Sequence, residues 1–285
     1  DEDTSLTDAQ RAFIGSIVET WPAFLATPDT LVLETQIDGN TYIDFEAIGD
    51  DPRLLFSDLN PKVSLAPSRA QQALPVALIN SVLNPVADTV VSVEDKKRAG
   101  LALLSGVGAP RNLQKGYDLL ADLAQSGDGE AAMAISNALA DRVPAEAYGF
   151  ALLAGQSGQA GATARLDRLE RVLSFEKVLE LQEVAASLVE PDVSVLDSVA
   201  QVRGEAAKFL SGKGRPRSYA MSAMFAMIGS AAGDPESGDI LGQIDEQVRM
   251  AGKGAFEIWS DSENQASNDA MEAWLEYDLG SRYAQ

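Results

Sequence analysis

Carboxylates are the reactive groups this chain supplies in quantity. It carries 43 Asp and Glu residues against 22 Lys and Arg, a net charge of −21. Glu170, Glu176 and Glu180 sit close enough in sequence to suggest an acid/base set for glycoside cleavage, which needs two carboxyls at a defined separation. In so acidic a chain such spacings arise throughout, so they do not single out catalysis. The sequence has no histidine and no cysteine. That removes the commonest general base, the commonest metal ligand, any Ser-His-Asp triad, disulfides and zinc–thiolate sites. Gly106-Val107-Gly108 resembles a phosphate loop only superficially, since no strand precedes it and no Gly-Lys-Ser/Thr comes after it. Asp38-Gly39-Asn40 lacks the rest of a calcium-loop ligand ladder. No cofactor, no metal site and no catalytic residue is expected.

The cations are fewer and better placed. Arg111, Lys213, Arg215 and Arg217 decorate two matching loops. One reading sets them on the edge of a repeat array as a basic strip whose Arg forks capture an acidic partner segment. The other places each near a helix C-terminus, where the dipole stabilises a cation by about 0.3–1 kcal/mol. Trp259 and Trp274 lead an aromatic C-terminal stretch with Phe256, Ile258, Leu275, Tyr277 and Tyr283. They either cap the last apolar face or form an aromatic contact patch. Met221, Met224 and Met227 have helical spacing. They read as core, with an adaptable binding surface as the alternative.

The elements that position these residues are duplicated. Leu104-Ser105-Gly106-Val107-Gly108-Ala109-Pro110-Arg111 is followed, after fifteen residues, by Gly127-Asp128. Leu210-Ser211-Gly212-Lys213-Gly214-Arg215-Pro216-Arg217 is followed by Gly233-Asp234 at the same spacing, every position offset by 106. A further copy lies between them: Gln125-Ser126-Gly127 recurs as Gln156-Ser157-Gly158, offset by 31. Three units across the longer offset average roughly 35 residues, the size of a helix–turn–helix repeat.

Helices are predicted at Glu94–Ser105, Leu113–Ser126, Gly129–Ala140, Ala145–Gln156, Ala160–Ser174, Phe175–Val189, Val195–Ser211, Tyr219–Ala232, Pro235–Met250 and Asn264–Tyr283. Gly106 and Gly212 fit left-handed C-caps, and Pro110 and Pro216 stop the helix beyond them. The N-terminal part differs. Thr7-Asp8-Ala9-Gln10 reads as a capping box opening a helix that Pro22 should end. Thr30–Ile37, the turn Asp38-Gly39-Asn40 and Thr41–Phe45 read as a β-hairpin. Ser68–Asn80 reads as helix with a kink or break at Pro75. A boundary is expected near Val91–Val93, giving a mixed region 1–92 and a helical array 93–285.

These residues resemble Sel1-like repeats, the tetratricopeptide-related helical hairpins. In that family a first helix ends in Gly-x-Gly-Val, Lys-Ala opens the second, and Ala-Ala-x-x-Gly closes it. Gly106-Val107-Gly108, Lys115-Gly116 and Leu123 to Ala131 match those elements, with Leu119-Leu120 in place of an aromatic pair. Phe150-Ala151 and Ala154 to Gly158 match in the next unit. Gly212-Lys213-Gly214, Phe225-Ala226 and Ala231-Ala232-Gly233 match in the last clear one, with Met221-Ser222 at the Lys-Ala position. The likeness covers about Glu94–Gly252. It implies a mainly α fold, an α/α solenoid of about four units with a helical cap, behind a small N-terminal α+β region. The family is defined by packing residues and implies protein binding rather than turnover.

Net charge excludes an electrostatic nucleic-acid or anionic-membrane binder, and no apolar run of about 18 residues could insert in a bilayer. The chain opens at Asp1, as a periplasmic protein with its signal peptide removed would, and a trimmed chain would open the same way. The expected function is a non-enzymatic adaptor or assembly subunit of the bacterial cell envelope whose partner is another protein, either free or within a larger assembly. The alternative is a glycan-acting envelope enzyme, or a regulator of one, working through carboxylates.

Overall fold

The computed structural model describes residues 6–26, 31–35, 48, 51–65, 73–85, 90–189 and 192–283. These are mainly helical, with one two-stranded antiparallel sheet. They divide into two compact units, Asp1–Ala73 and Leu74–Gln285.

In the first unit, α1 (Asp8–Ala26) is followed by β1 (Leu31–Thr35), α2 (Leu54–Leu59) and β2 (Pro61–Leu65). The capping box forms as expected: Thr7 N–H donates to Gln10 Oε1 (2.9 Å) and Gln10 N–H to Thr7 Oγ1 (3.2 Å). Pro22 does not end α1, which runs on to Ala26 with the proline inside it. The lost donor is a single helix bond, and the ring contact of Trp21 with Phe24, 5.4 Å between centroids, spans the site. The partner of β1 is β2, with Leu31 opposite Leu65 and Thr35 opposite Pro61. The expected turn at Asp38-Gly39-Asn40 and the return strand Thr41–Phe45 lie outside the described residues. β2 is fixed from its other side by α1. Val63 N–H donates to Ser16 Oγ (3.1 Å), and Thr20 Oγ1 donates to Val63 O (3.2 Å). The helix thus covers a strand edge that would otherwise be left unpaired.

The second unit starts ahead of the expected 92/93 boundary. Of the two expected effects of Pro75, the break is seen: it stands just before α3 (Val76–Leu83), and residues 68–72 lie outside the described set. Leu74 N–H donates to Gly108 O (2.9 Å). Leu74, Ile79 and Leu83 pack on Ala102, Leu103 and Ala109. Apolar burial therefore ties α3 to the helical array. Then come α4 (Val93–Ser105), α5 (Leu113–Gln125), α6 (Gly129–Leu139), α7 (Pro144–Gln156), α8 (Ala162–Glu170) and α9 (Phe175–Ala186). After a 3₁₀ turn (Val193–Val195) come α10 (Val199–Ser211), α11 (Tyr219–Ala231), α12 (Pro235–Met250), α13 (Ala255–Glu276) and α14 (Leu279–Tyr283).

The 106-residue offset recurs in atomic detail. α4 and α10 start and stop at matching positions, as do α5 and α11. Gly106 and Gly212 both take left-handed φ, 78° and 71°, which costs glycine little. Asn112 N–H donates to Leu103 O and Ser218 N–H to Phe209 O; Asp128 N–H donates to Leu123 O and Asp234 N–H to Gly229 O. Ser92, Asn112 and Asp128 each accept, through the side chain, the amide three residues on, and so do Ser198, Ser218 and Asp234. Such a cap satisfies a helix-end donor for ~1 kcal/mol. The offset of 31 holds as well, since α7 matches α5 in length and start and closes through Gly158 as α5 does through Gly127.

Helices pack on the next and on the next but one, α4 on α5 and α6, α7 on α8 and α9, α11 on α12 and α13. Three expected spans are corrected. The helix foreseen at Ala160–Ser174 is the shorter α8, because Gly161 takes a left-handed φ and the chain turns again after Glu170. The one foreseen from Val195 starts at Val199, behind the Ser198 cap. The last one starts at Ala255, just past the left-handed Gly252 and Gly254, and breaks at Asp278, where φ is 47°.

Candidate functional site

The densest polar cluster of the described residues surrounds Arg217, which precedes α11 and is only 4 % exposed. Its Nη1 donates to Asp167 Oδ1 (2.7 Å) and Glu170 Oε1 (3.0 Å), and Nη2 donates to Ser211 O (3.3 Å). Glu170 Oε1 also accepts from Tyr148 Oη (2.6 Å), and its Oε2 accepts from Tyr219 Oη (2.7 Å). Gln182 closes the set, donating to Tyr148 Oη (2.9 Å) and accepting the Tyr219 amide (3.0 Å). Five elements or their flanks, α7, α8, α9, α10 and α11, meet through these bonds. Burial pushes both tyrosines above their ordinary range, and the Glu170 charge adds to it. Burial works against the Arg217 charge, but Glu170 and the neighbouring acidic groups outweigh it and hold that pKa up. Gly212 permits the approach. A Cβ there would stand 2.9 Å from Leu166 and 3.0 Å from Arg217 Cβ.

Glu170 thus accepts from three donors, the Arg217 guanidinium and the two tyrosine hydroxyls. Glu176 and Glu180, the other two carboxylates of the acid/base set, take no part in this hydrogen-bonded cluster. Glu180 pairs with Lys177 on the exposed side of α9 (2.7 Å), and Glu176 is exposed in the first turn of that helix.

The four loop cations do not form one exposed strip. Arg217 is internal. Arg215 donates to Glu205 Oε2 (2.8 Å) and lies over the Phe209 ring, 5.7 Å from its centroid. Burial raises the Glu205 pKa, but its bonds to Lys208 and Arg215 prevail and lower it. Arg111, exposed, donates through Nε to Leu104 O (3.2 Å) at the end of α4, where a cation meets the helix dipole. Lys213 is exposed. Trp259 is 2 % exposed and belongs to the same apolar core as Phe209 and Phe225. Trp274, half-buried, packs beside Gly280, whose added Cβ would lie 3.3 Å from its ring. Tyr283 Oη donates to Leu196 O (2.9 Å) and Arg282 to Ser194 O (2.9 Å), so the C-terminal helix is tied back onto the segment before α10.

Two clefts flank this region. One, of about 420 Å³, is lined by Asp167, Glu170, Phe175, Tyr219, Gln247 and Met250 among others. The other, of about 410 Å³, lies between α9, α11 and α13. Its apolar side chains include Leu179, Met221, Met224 and Ala266, and its acidic ones are Glu183, Asp261 and Asp269. Helical spacing pointed to Met221 and Met224. The rim residues carried no signal, because they come from helices that only tertiary packing brings near α11. Among the described residues, no cluster of three or more carboxylates is arranged to hold a metal ion. No described helix is long and apolar enough to cross a membrane. No protein-family model matches the chain, and no curated protein matches it in sequence.

Proposed function

We propose that this chain is a non-enzymatic protein-binding scaffold of the cell envelope, an arc of stacked Sel1-like hairpins closed by C-terminal helices. One observation carries the reading: an inter-helix ion pair that recurs with the repeat. Lys97 Nζ lies 2.8 Å from both Asp128 and Glu130, and Arg203 Nη1 lies 2.8 Å from Asp234 and 3.1 Å from Glu236. All three positions shift by 106. A tie repeated between matching helices suits hairpins that stack, and stacked hairpins present an extended surface whose common use is to hold another polypeptide.

The test is in-cell cross-linking followed by affinity recovery of the full chain from a fractionated native source. The scaffold reading expects a second polypeptide at reproducible stoichiometry, in the envelope fraction. Recovery of the chain alone, even after cross-linking, overturns it.

A further inference from the structure

We infer that the groove between α9, α11 and α13 docks a basic amphipathic helix. This rests on the scaffold reading and specifies its partner. The groove joins two properties that seldom coincide. Its apolar lining includes two methionines, Met224 buried and Met221 half-buried, and methionine adapts its shape to the side chain laid against it. Its rim carries Glu183 from α9 and Asp261 and Asp269 from α13, while no Lys or Arg lines it. Glu183 and Asp261 are exposed, and Asp269 is steered by Gln265, whose Nε2 donates to its Oδ1 (2.7 Å).

A volume of about 410 Å³ holds a few apolar side chains, the number that one face of a short helix inserts. The polar face of that helix then meets carboxylates on two sides. An acidic helix would meet like charge on both. A purely apolar one would leave the rim carboxylates partly desolvated without partners, which is costly. Charge complementarity therefore selects Lys and Arg flanking the apolar stripe.

The experiment titrates the full chain with a fourteen-residue peptide of Leu and Lys at helical spacing, and with its Leu/Glu counterpart, at physiological salt. Because a net charge of −21 attracts any polycation, two equal charge reversals are compared. Glu183→Lys/Asp261→Lys alters the rim, and Asp239→Lys/Glu246→Lys alters exposed positions of α12. The inference expects the rim pair to weaken Leu/Lys binding on the order of tenfold, the α12 pair by less than about twofold, and the Leu/Glu peptide not to bind. Methyl-labelled methionine gives a readout free of variants: the Met221 and Met224 signals shift on titration while Met133 and Met250 stay in place. Equal weakening by both pairs, shifts spread over all methionines, no binding, or tighter binding of the Leu/Glu peptide would each overturn the inference. So would a self-associated chain that Met221→Glu dissociates, since a second copy would then fill the groove. If the partner captured by cross-linking is held equally by wild type and the rim variant, the groove assignment falls and the scaffold reading stands. If no partner is captured, the scaffold reading falls on its own.

Discussion

The copy built from α4, α5 and α6 and the copy built from α10, α11 and α12 share a backbone and differ in how they fill it. Gly100 lies against Leu120 in the first, where an added Cβ would stand 2.5 Å from the leucine Cγ. The equivalent pair in the second is Ala206 and Ala226, both fully buried. A glycine facing a leucine has become two alanines, one on each helix. Gly116 against Leu104 becomes Ser222, whose hydroxyl donates to Ala206 O (2.8 Å). Buried Ala99 and Ala109 become Glu205 and Arg215, an ion pair where the first copy has the apolar α3 helix packed beside Ala109. What a duplicated unit retains is its caps, its left-handed glycines and its inter-helix tie. Its side chains are free to vary provided their volumes and charges compensate.

The arginines offer the sharpest way to break the equivalence. Arg217→Ala strands Glu170 beside two tyrosines, and unpairing a buried charge costs about 3 kcal/mol or more. Arg111→Ala, at the matching but exposed position, should cost less than about 1 kcal/mol. Urea midpoints of the two variants should separate accordingly, and similar losses would mean that the buried cluster adds nothing. Next in size, Gly100→Ala should destabilise by about 1–3 kcal/mol through overpacking against Leu120. In the Gly100→Ala/Leu120→Ala double variant, which copies the second unit's pair, part of that loss should be recovered. A double-mutant cycle would report it as a coupling of about 1 kcal/mol, and strict additivity would deny that the two positions are coupled.

The smallest effect is acid sensitivity. At Asp234 the Ser237 hydrogen bond, with the Arg203 charge, outweighs burial and lowers the pKa; at Asp128 burial raises it, and the Lys97 bond more than compensates. A carboxylate with a depressed folded pKa stabilises above its unfolded value, near 4, and loses that contribution as pH falls through the folded value. Asp234→Asn should therefore be less stable than wild type by about 1 kcal/mol at pH 7, with the difference shrinking below about pH 4 in thermal melts. The same substitution at Asp128 should behave alike, since the two caps are copies.

The sequence was most informative where the backbone itself is constrained. Gly106, Gly212, Asn112 and Ser218 each do one local job, and their spacing located α4, α5 and α11 to within a residue or two and the C-terminal end of α10. It was least informative where the outcome depends on distant partners. β1 reads equally well as half of a local hairpin, and only the hold of Ser16 and Thr20 on Val63 explains its pairing with β2. Arg217 reads as a surface cation because Glu170, its counter-charge, is 47 positions away on α8. Polar residues from Ser260 to Asn264 hid the early turns of α13, whose buried contacts, Ala255 and Trp259, are sparse. The groove drew on α9, α11 and α13 together, and no spacing rule links them.

Gly155 sets how closely α7 and the loop ahead of α11 can lie. Its carbonyl accepts the Gly214 amide (2.9 Å), and a Cβ at 155 would fall 2.2 Å from the Gly212 carbonyl oxygen. The seam between α7 and the loop ahead of α11 is thus main chain pressed on main chain, with no side chain in it to trim or enlarge. Drift in neighbouring residues leaves that seam's width untouched. Even an alanine at 155 would act as a wedge that drives the two sides of the seam apart.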